Sequence, residues 1–195
     1  MIRMAVLAMA VLLGVAASGA AAADDVLVDD FSKEVAGRWR VVSGEWKVRD
    51  GVMAHTARPF PHHDCIVADF PFTQGVIEVK AVPRKNNKYR FASVGIVIKR
   101  IDEKRAIWFR FGSYGLVNID GRGGFRRVNL GRAWTELNRE YRLSVIVRNG
   151  LICVCVDGIM VGVIRDPLAG KAGRPGLFTE SGAEFDDFRV TRLSR

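Results

Sequence analysis

The feature that most constrains this chain is the alternation of apolar and polar residues in many short runs. Over 141–148, beginning at Tyr141, every second residue is large and apolar. The same spacing occurs over 106–111, where Ile107, Phe109 and Phe111 are two apart. Successive side chains of a strand point to opposite faces, so a period of two indicates β-strands with one buried face.

Turn signals separate these runs. Asp50-Gly51, Asn149-Gly150 and Asp157-Gly158 are dipeptides typical of two-residue hairpins. Apart from a short helical turn within 166–175, no segment has a helical period. The pattern predicts an all-β, two-sheet antiparallel β-sandwich of the jelly-roll type. The predicted strands are 26–31, 39–42, 45–49, 52–56, 65–69, 75–82, 91–100, 106–113, 115–120, 125–130, 141–148, 151–156, 160–166, 176–179 and 183–191.

The N-terminus has the three parts of a secretory signal peptide. Arg3 supplies a positive start, an apolar stretch follows over 4–15, and small alanines over 21–23 precede Asp24. We therefore predict a signal peptide over 1–23, one domain over 24–195, and a periplasmic or secreted location. The alternative is an uncleaved anchor, which would need about 20 apolar residues.

Charge and cysteine content leave several partners open. The chain carries a formal net charge of +9, which suits acidic polysaccharide, cell-wall polymer, lipopolysaccharide or nucleic acid, or simply solubility. Only Cys65, Cys153 and Cys155 are present, too few for a disulfide scaffold. Cys153 and Cys155 point the same way on one strand and pair poorly. Either Cys65 bridges to one of them or all three are free thiols.

One face of several predicted strands carries the candidate binding residues. Trp108 offers an indole on which the apolar face of a sugar ring packs, and Arg110 offers hydrogen bonds to hydroxyls or carboxylates. The alternative is that Trp108 packs under a loop. If the strands pair side by side, the shared ligand-binding face comprises Glu78, Lys99, Trp108, Arg110 and Arg142, with Lys80 beside Glu78.

Three further clusters have binding chemistry. Four carboxylates on the predicted first and last strands suit a structural calcium ion, although such residues also face solvent or cap turns. The His62-His63 pair lies near Cys65 and His55 in the sequence and consists of a residue type that ligates metals. The simpler interpretation is a surface loop between two strands. Basic loops over 84–90 and 121–127 resemble nucleic-acid contacts, yet no nucleic-acid-binding motif accompanies them. The candidate calcium ligands are Asp29, Asp30, Asp186 and Asp187.

Eight segments together form a pattern familiar from one group of proteins. They are DDF at 29–31, WRVVSGEWKVRDGV at 39–52, SVGIVIKR at 93–100, AIWFRF at 106–111, YRLSV at 141–145, VDG at 156–158, GLFT at 176–179 and FDDFRV at 185–190. This pattern resembles laminin-G-like domains of the concanavalin A-like lectin/glucanase superfamily, including 3-keto-disaccharide hydrolase-like domains. The resemblance implies a two-sheet jelly roll that often binds sugar on its concave face.

The resemblance does not extend to a glucanase active site. Retaining glucanases of this superfamily carry a Glu-x-Asp-x-x-Glu strand, whose paired carboxylates act as nucleophile and general acid. The only acid-rich strand here, Glu184 to Asp187, lacks the third acid. The sequence therefore favours an exported, non-catalytic carbohydrate-binding module. The alternatives are a glycan-acting hydrolase or lyase that uses the Glu78, Lys80 and Arg110 face or the His62-His63 loop, and a structural or interaction module.

Overall fold

The chain forms two antiparallel sheets in the computed structural model, which describes residues 26–33, 37–56, 63–84, 92–113, 116–123, 125–133 and 135–193. The predicted signal peptide lies outside these residues. The first sheet has the order β13-β12-β11-β6-β15-β4-β3, with β1 also paired to β15. Its strands are β1 (Val26–Asp29), β3 (Trp46–Arg49), β4 (Val52–His55), β6 (Gly75–Pro83), β11 (Tyr141–Arg148), β12 (Leu151–Val156), β13 (Ile159–Arg165) and β15 (Ala183–Arg192).

The second sheet has seven strands in the order β10-β9-β8-β7-β14-β5-β2. Each of the fifteen strands of the two sheets overlaps a predicted one, and the predicted all-β sandwich is confirmed. Among the described residues, no helix has the length and apolar character needed to cross a bilayer. The strands of the second sheet are β2 (Trp39–Ser43), β5 (Asp64–Ala68), β7 (Val94–Arg100), β8 (Ala106–Ser113), β9 (Leu116–Arg122), β10 (Val128–Arg132) and β14 (Arg174–Thr179).

The predicted hairpin dipeptides form turns with left-handed backbone. Asn149 and Gly150, between β11 and β12, have φ of 50° and 73°, and Asp157 and Gly158, between β12 and β13, have 51° and 78°. Two successive positive φ angles are what a type I′ turn requires, and its twist matches that of the flanking strands. These local turns bring consecutive strands together, so part of the topology follows from the sequence directly.

The core lies between the sheets and is filled by the alternating apolar positions. On β11, Tyr141, Leu143, Val145 and Val147 are all buried, as the period of two predicts. Ile107, Phe109 and Phe111 of β8 pack against them from the second sheet. The opposite face of each strand is therefore turned away from the core. The sandwich has two such outer faces, one on each sheet, and the core separates them.

Candidate functional site

The five predicted ligand-binding residues do not share a face, and that prediction is wrong. Trp108 and Arg110 lie on β8 and point to the outer face of the second sheet. Glu78 and Arg142 lie on β6 and β11, on the outer face of the first sheet. The core separates the two faces. Alternation tells which residues of one strand share a side, but not to which sheet the strand belongs.

Lys99 is buried rather than exposed to ligand. The β7–β8 register shifts between Val97, which is opposite Trp108, and Lys99, which is opposite the core residue Ile107. This irregularity turns Lys99 inward, where strict alternation would place it beside Trp108. Its Nζ donates to Oδ2 of Asp166 at 2.6 Å and to the Leu168 carbonyl at 3.3 Å. Lys99 is therefore a structural residue that ties β7 to the segment after β13.

Two parallel rows of residues cross the outer face of the second sheet. Cross-strand partners are directly opposite one another, so each row lines up side chains from strands that are distant in sequence. The first row comprises Cys65, Phe178, Gly95, Arg110 and Asn118. The row beside it runs Val67, Gly176, Val97, Trp108, Asp120.

An aromatic pair lies at the centre of this face. The rings of Trp108 and Phe178 stack with centroids 5.6 Å apart and planes inclined by 12°. They belong to β8 and β14, and Gly95 of the intervening β7 leaves room for Phe178, because a Cβ there would lie 3.3 Å from Phe178 Cδ1. His63 meets both rings edge-on, at 6.1 Å from Trp108 and 5.7 Å from Phe178.

A buried ion pair lies next to the aromatic pair. Arg110 donates to Glu180, and its second terminal nitrogen lies 3.7 Å from Asp120. Asp120 also pairs with Arg127 at 2.8 Å. His63 Nε2 lies 3.4 Å from Glu180 Oε1. Burial lowers the pKa of His63, so the imidazole is neutral at pH 7, and the arginines supply positive charge next to Glu180 and Asp120.

Three polar side chains on β8 and β9 are buried without full hydrogen bonding among the described residues. They are Trp108 at Nε1, Arg110 at Nε and Asn118 at both atoms of its amide. Trp108 is 8% exposed and Asn118 0%. Native proteins satisfy almost all buried polar atoms, so such a concentration marks a place where a ligand or ordered water completes the bonding.

A cavity of about 270 Å³ opens beside the aromatic pair. Its aromatic lining residues are Trp108, Phe178 and His63, and its charged ones are Arg100, Glu103 and Arg122. This volume is just below the 300–1,000 Å³ typical of ligand pockets, which suits one small ring or substituent. A second cavity of about 460 Å³ shares Val42, Arg100 and Glu103 with it, so the two cavities adjoin and are together called the groove.

The structure also contains a buried pair that the sequence reasoning missed. His55 Nε2 lies 3.0 Å from Asp64 Oδ2, and Nδ1 lies 2.9 Å from the Ser181 carbonyl oxygen. Both neighbours are acceptors when Asp64 is ionised, so a proton must sit between the ring and the carboxylate. The pair joins β4 of the first sheet to β5 of the second. The sequence offered His55 only as a neighbour of His62-His63; His63 lines the cavity, and His62 lies outside the described residues.

The four candidate calcium ligands lie on neighbouring strands, since β1 pairs with β15. Their carboxylates already have other partners: Asp29 accepts from Trp39 Nε1 at 2.8 Å, and Asp187 pairs with Lys80 at 2.7 Å. Asp30 and Asp186 accept from nearby backbone amides. Within the described ranges no three His, Cys, Asp or Glu side chains are grouped to hold a metal. Calcium binding here stays a prediction.

The remaining candidates from the sequence are the three cysteines and the two basic loops. The three cysteines are free, with Cys65 on the second sheet and the other two on β12 of the first, so the bridged alternative is wrong. Of the basic segment 84–90, only Arg84 is described, and it pairs with Glu184. In the segment 121–127, Arg122 lines the cavity and Arg127 pairs with Asp120. Nothing in these contacts tests nucleic-acid binding.

Comparison with known proteins identifies the fold. No protein-family model matches the sequence, and no curated protein is significantly similar to it. Among solved structures, a carbohydrate-binding module, CBM66 from Bacillus subtilis, superposes with a TM-score of 0.66 at 15% identity over 79% of this chain and 96% of its own. A β-glucanase from Bacillus licheniformis gives 0.65 at 15% identity over 86% and 98%.

A protein of unknown function with a galectin-like fold from Bacillus subtilis gives a TM-score of 0.65 at 13% identity, over 87% of this chain and 96% of its own. Identities this low carry information about fold and not about activity. The three neighbours are antiparallel sandwiches with different roles in their names. The chain therefore shares the two-sheet fold of a carbohydrate-binding module, a β-glucanase and a protein with a galectin-like fold.

Proposed function

We propose that this protein is a non-catalytic carbohydrate-binding domain whose site is the cavity on the outer face of the second sheet. The observation that carries the proposal is the aromatic pair of Trp108 and Phe178 at the cavity wall, next to buried polar atoms of β8 and β9 that have no hydrogen-bond partner among the described residues. The carbohydrate-binding module and the β-glucanase among the structural neighbours support the same class of ligand.

The chemistry of the cavity suits a sugar. The C–H faces of a pyranose ring pack on aromatic surface, and the hydroxyls require donors and acceptors at fixed positions. Ser43, Arg100 and Arg122, on β2, β7 and β9, line the cavity and supply a hydroxyl and two guanidinium groups. Strands hold such groups more rigidly than a loop would.

The acidic residues of the face argue against catalysis there. A glycosidase needs one carboxyl group as an acid and a second as nucleophile or base. Here Glu180 is bonded to Arg110, and Asp120 is paired with Arg127. The alternative hydrolase or lyase is favoured by one observation, that both carboxylates and His63 lie close to Arg110. The predicted combination of Glu78, Lys80 and Arg110 lies on two different sheets and cannot form one site.

Binding and turnover are separated by one set of measurements. We expect saccharides from a glycan panel to bind without release of reducing ends, and His63→Ala to lower affinity at least tenfold because His63 lines the cavity. Arg142→Ala, on the outer face of the first sheet, serves as the control and keeps wild-type affinity. Isothermal titration calorimetry measures both. Release of reducing ends would favour the hydrolase, and failure of every saccharide to bind would favour a structural module.

We also propose that the protein is exported to the periplasm or secreted, on the basis of the basic, apolar and small-residue segments over 1–23. N-terminal sequencing of the exported protein is expected to begin at Asp24 or within a few residues of it. Recovery of mature protein that still contains Arg3 would contradict this.

A further inference from the structure

We propose that the groove is an anion site, in which Arg100 and Arg122 bind the carboxylate or sulfate of an acidic saccharide. The inference rests on the proposed function and narrows its ligand class. It comes from a third row of residues on the outer face of the second sheet, next to that of Trp108. This basic row runs Arg174, Arg100, Ala106, Arg122.

The basic row is electrostatically unfavourable without a ligand. Arg174 and Arg100 are directly opposite on β14 and β7, and like charges in that position destabilise a sheet. Arg174 is relieved by Asp69, whose Oδ1 lies 2.9 Å from its Nε. Arg100 and Arg122 form no ion pair with any described residue, so the row carries two uncompensated positive charges.

Arg100 is the more unusual of the two because it is buried. It is only 8% exposed, and the described residues offer its guanidinium neither a hydrogen bond nor an ion pair. A largely buried arginine that faces two cavities, with no protein partner among the described residues, is a position where an anion would supply the opposite charge. Glu103 lines both cavities, but its carboxylate forms no ion pair with either guanidinium among the described residues, and Arg122 donates to its backbone carbonyl at 3.3 Å.

Both positive charges act on the cavity itself. Arg100, Arg122 and Cys65 all line the cavity, and the two positive charges oppose the rise in the pKa of the Cys65 thiol that burial causes. Arg100 also lines the larger second cavity together with Arg40, an exposed arginine with no ion pair among the described residues. The groove therefore has an aromatic part at Trp108 and arginines at Arg100, Arg122 and Arg40, with Asp102 and Glu103 also in its lining.

This arrangement fits an acidic saccharide better than a neutral one. A ring packed beside Trp108 places its substituents within the cavity, and a guanidinium binds a carboxylate or sulfate with two parallel hydrogen bonds. The enclosed volume of about 270 Å³ accepts one charged group and excludes a stacked run of nucleobases. We therefore propose an acidic saccharide as the ligand, and the test below includes binding of nucleic acid as a separate arm.

The test compares ligands that differ only in charge. Oligogalacturonate, alginate and hyaluronan oligosaccharides are titrated into the full-length mature protein beside their methyl esters, with dextran sulfate against dextran and single-stranded DNA as further arms. We expect at least one acidic form to bind ten- to a hundredfold more tightly than its neutral partner. Preference in the uronate arm identifies a carboxylate, and preference in the dextran sulfate arm identifies a sulfate.

Variants assign the preference to the two arginines. Arg122→Gln and Arg100→Met are each expected to abolish most of the acid-to-ester preference, whereas Arg142→Gln on the first sheet leaves it intact. Arg100→Met keeps the aliphatic stem and removes an unpaired buried charge, so its Tm is expected to equal or exceed that of the wild type. A large fall in Tm would show that Arg100 has a structural role and would overturn its assignment to the ligand.

The outcomes separate this inference from the proposed function. Equal affinity for every acid and its neutral partner would overturn the anion site and leave carbohydrate binding standing. Binding of DNA with no preference among the saccharide pairs would likewise overturn it. If no saccharide binds in any arm, both the anion site and the proposed function fail.

Discussion

Lys99→Ala is expected to lower the free energy of unfolding by about 3–5 kcal/mol, because it leaves the buried carboxylate of Asp166 without its partner. The two side chains are 0% and 1% exposed, so water cannot replace the lost charge. For a domain of this size, such a loss lowers Tm by roughly 6–20 °C. Differential scanning calorimetry of the variant and the wild type measures it.

Lys80→Ala is the matched control. Lys80 pairs with Asp187 at a similar distance of 2.7 Å, but the two side chains are 29% and 52% exposed. An exposed ion pair contributes about 0–1 kcal/mol, so Tm should hardly change. In Lys99→Met with Asp166→Leu, removal of both charges should restore much of the stability that the single change loses. Equal, small effects at Lys99 and Lys80 would contradict the structural role of Lys99.

The fold could be predicted from sequence because its determinants are local. A period of two and a two-residue turn are both encoded within a few residues, as in β11, the Asn149-Gly150 turn and β12. The pairing of distant strands is not encoded in this way. β14 lies between β7 and β5, and no spacing within the sequence places Phe178 opposite both Gly95 and Cys65.

The site was therefore predicted in part. Trp108 and Arg110 were identified together because they lie two apart on one strand, where alternation is decisive. Phe178 and Glu180 were missed because they reach the site through long-range pairing, and His63 was a candidate only as part of the His62-His63 loop. One signal was present in the sequence, since a glycine within an apolar strand, such as Gly95, marks the close approach of another group. A Cβ at Gly95 would overlap the Phe109 carbonyl oxygen and would lie 3.3 Å from Phe178 Cδ1.

The error at Lys99 has a different origin. The prediction assumed unbroken alternation over 94–100, but a shift in register between Val97 and Lys99 reverses the side to which Lys99 points. The same effect occurs on β15, where an irregularity between Asp186 and Arg189 leaves both Phe185 and Phe188 buried although they are three apart. A bulge adds one residue to one strand, and its position depends on the partner strand.

Trp108→Ala is expected to destabilise the fold by about 3–5 kcal/mol, because a nine-tenths buried indole leaves a cavity on truncation. The sequence analysis placed Trp108 on a binding face, with packing under a loop as the alternative. The ring instead packs with Phe178, Val97 and Ala106 in a cluster on the outer face of the second sheet. Chemical denaturation measures the change, and an unfolding free energy within 1 kcal/mol of wild type would show that the ring is not packed as described.

Trp108→Phe separates the two roles of the same residue. Phenylalanine retains an aromatic ring that packs on Phe178, so the loss of stability should stay below about 1.5 kcal/mol. It also removes Nε1, a donor with no partner in the described part of the chain, and loss of an unsatisfied donor costs the fold nothing. Nε1 contributes to binding only if the ligand accepts a hydrogen bond from it. A fall of about tenfold in saccharide affinity, with the fold intact by calorimetry, is therefore the result expected of a binding tryptophan, and unchanged affinity would restrict Trp108 to packing.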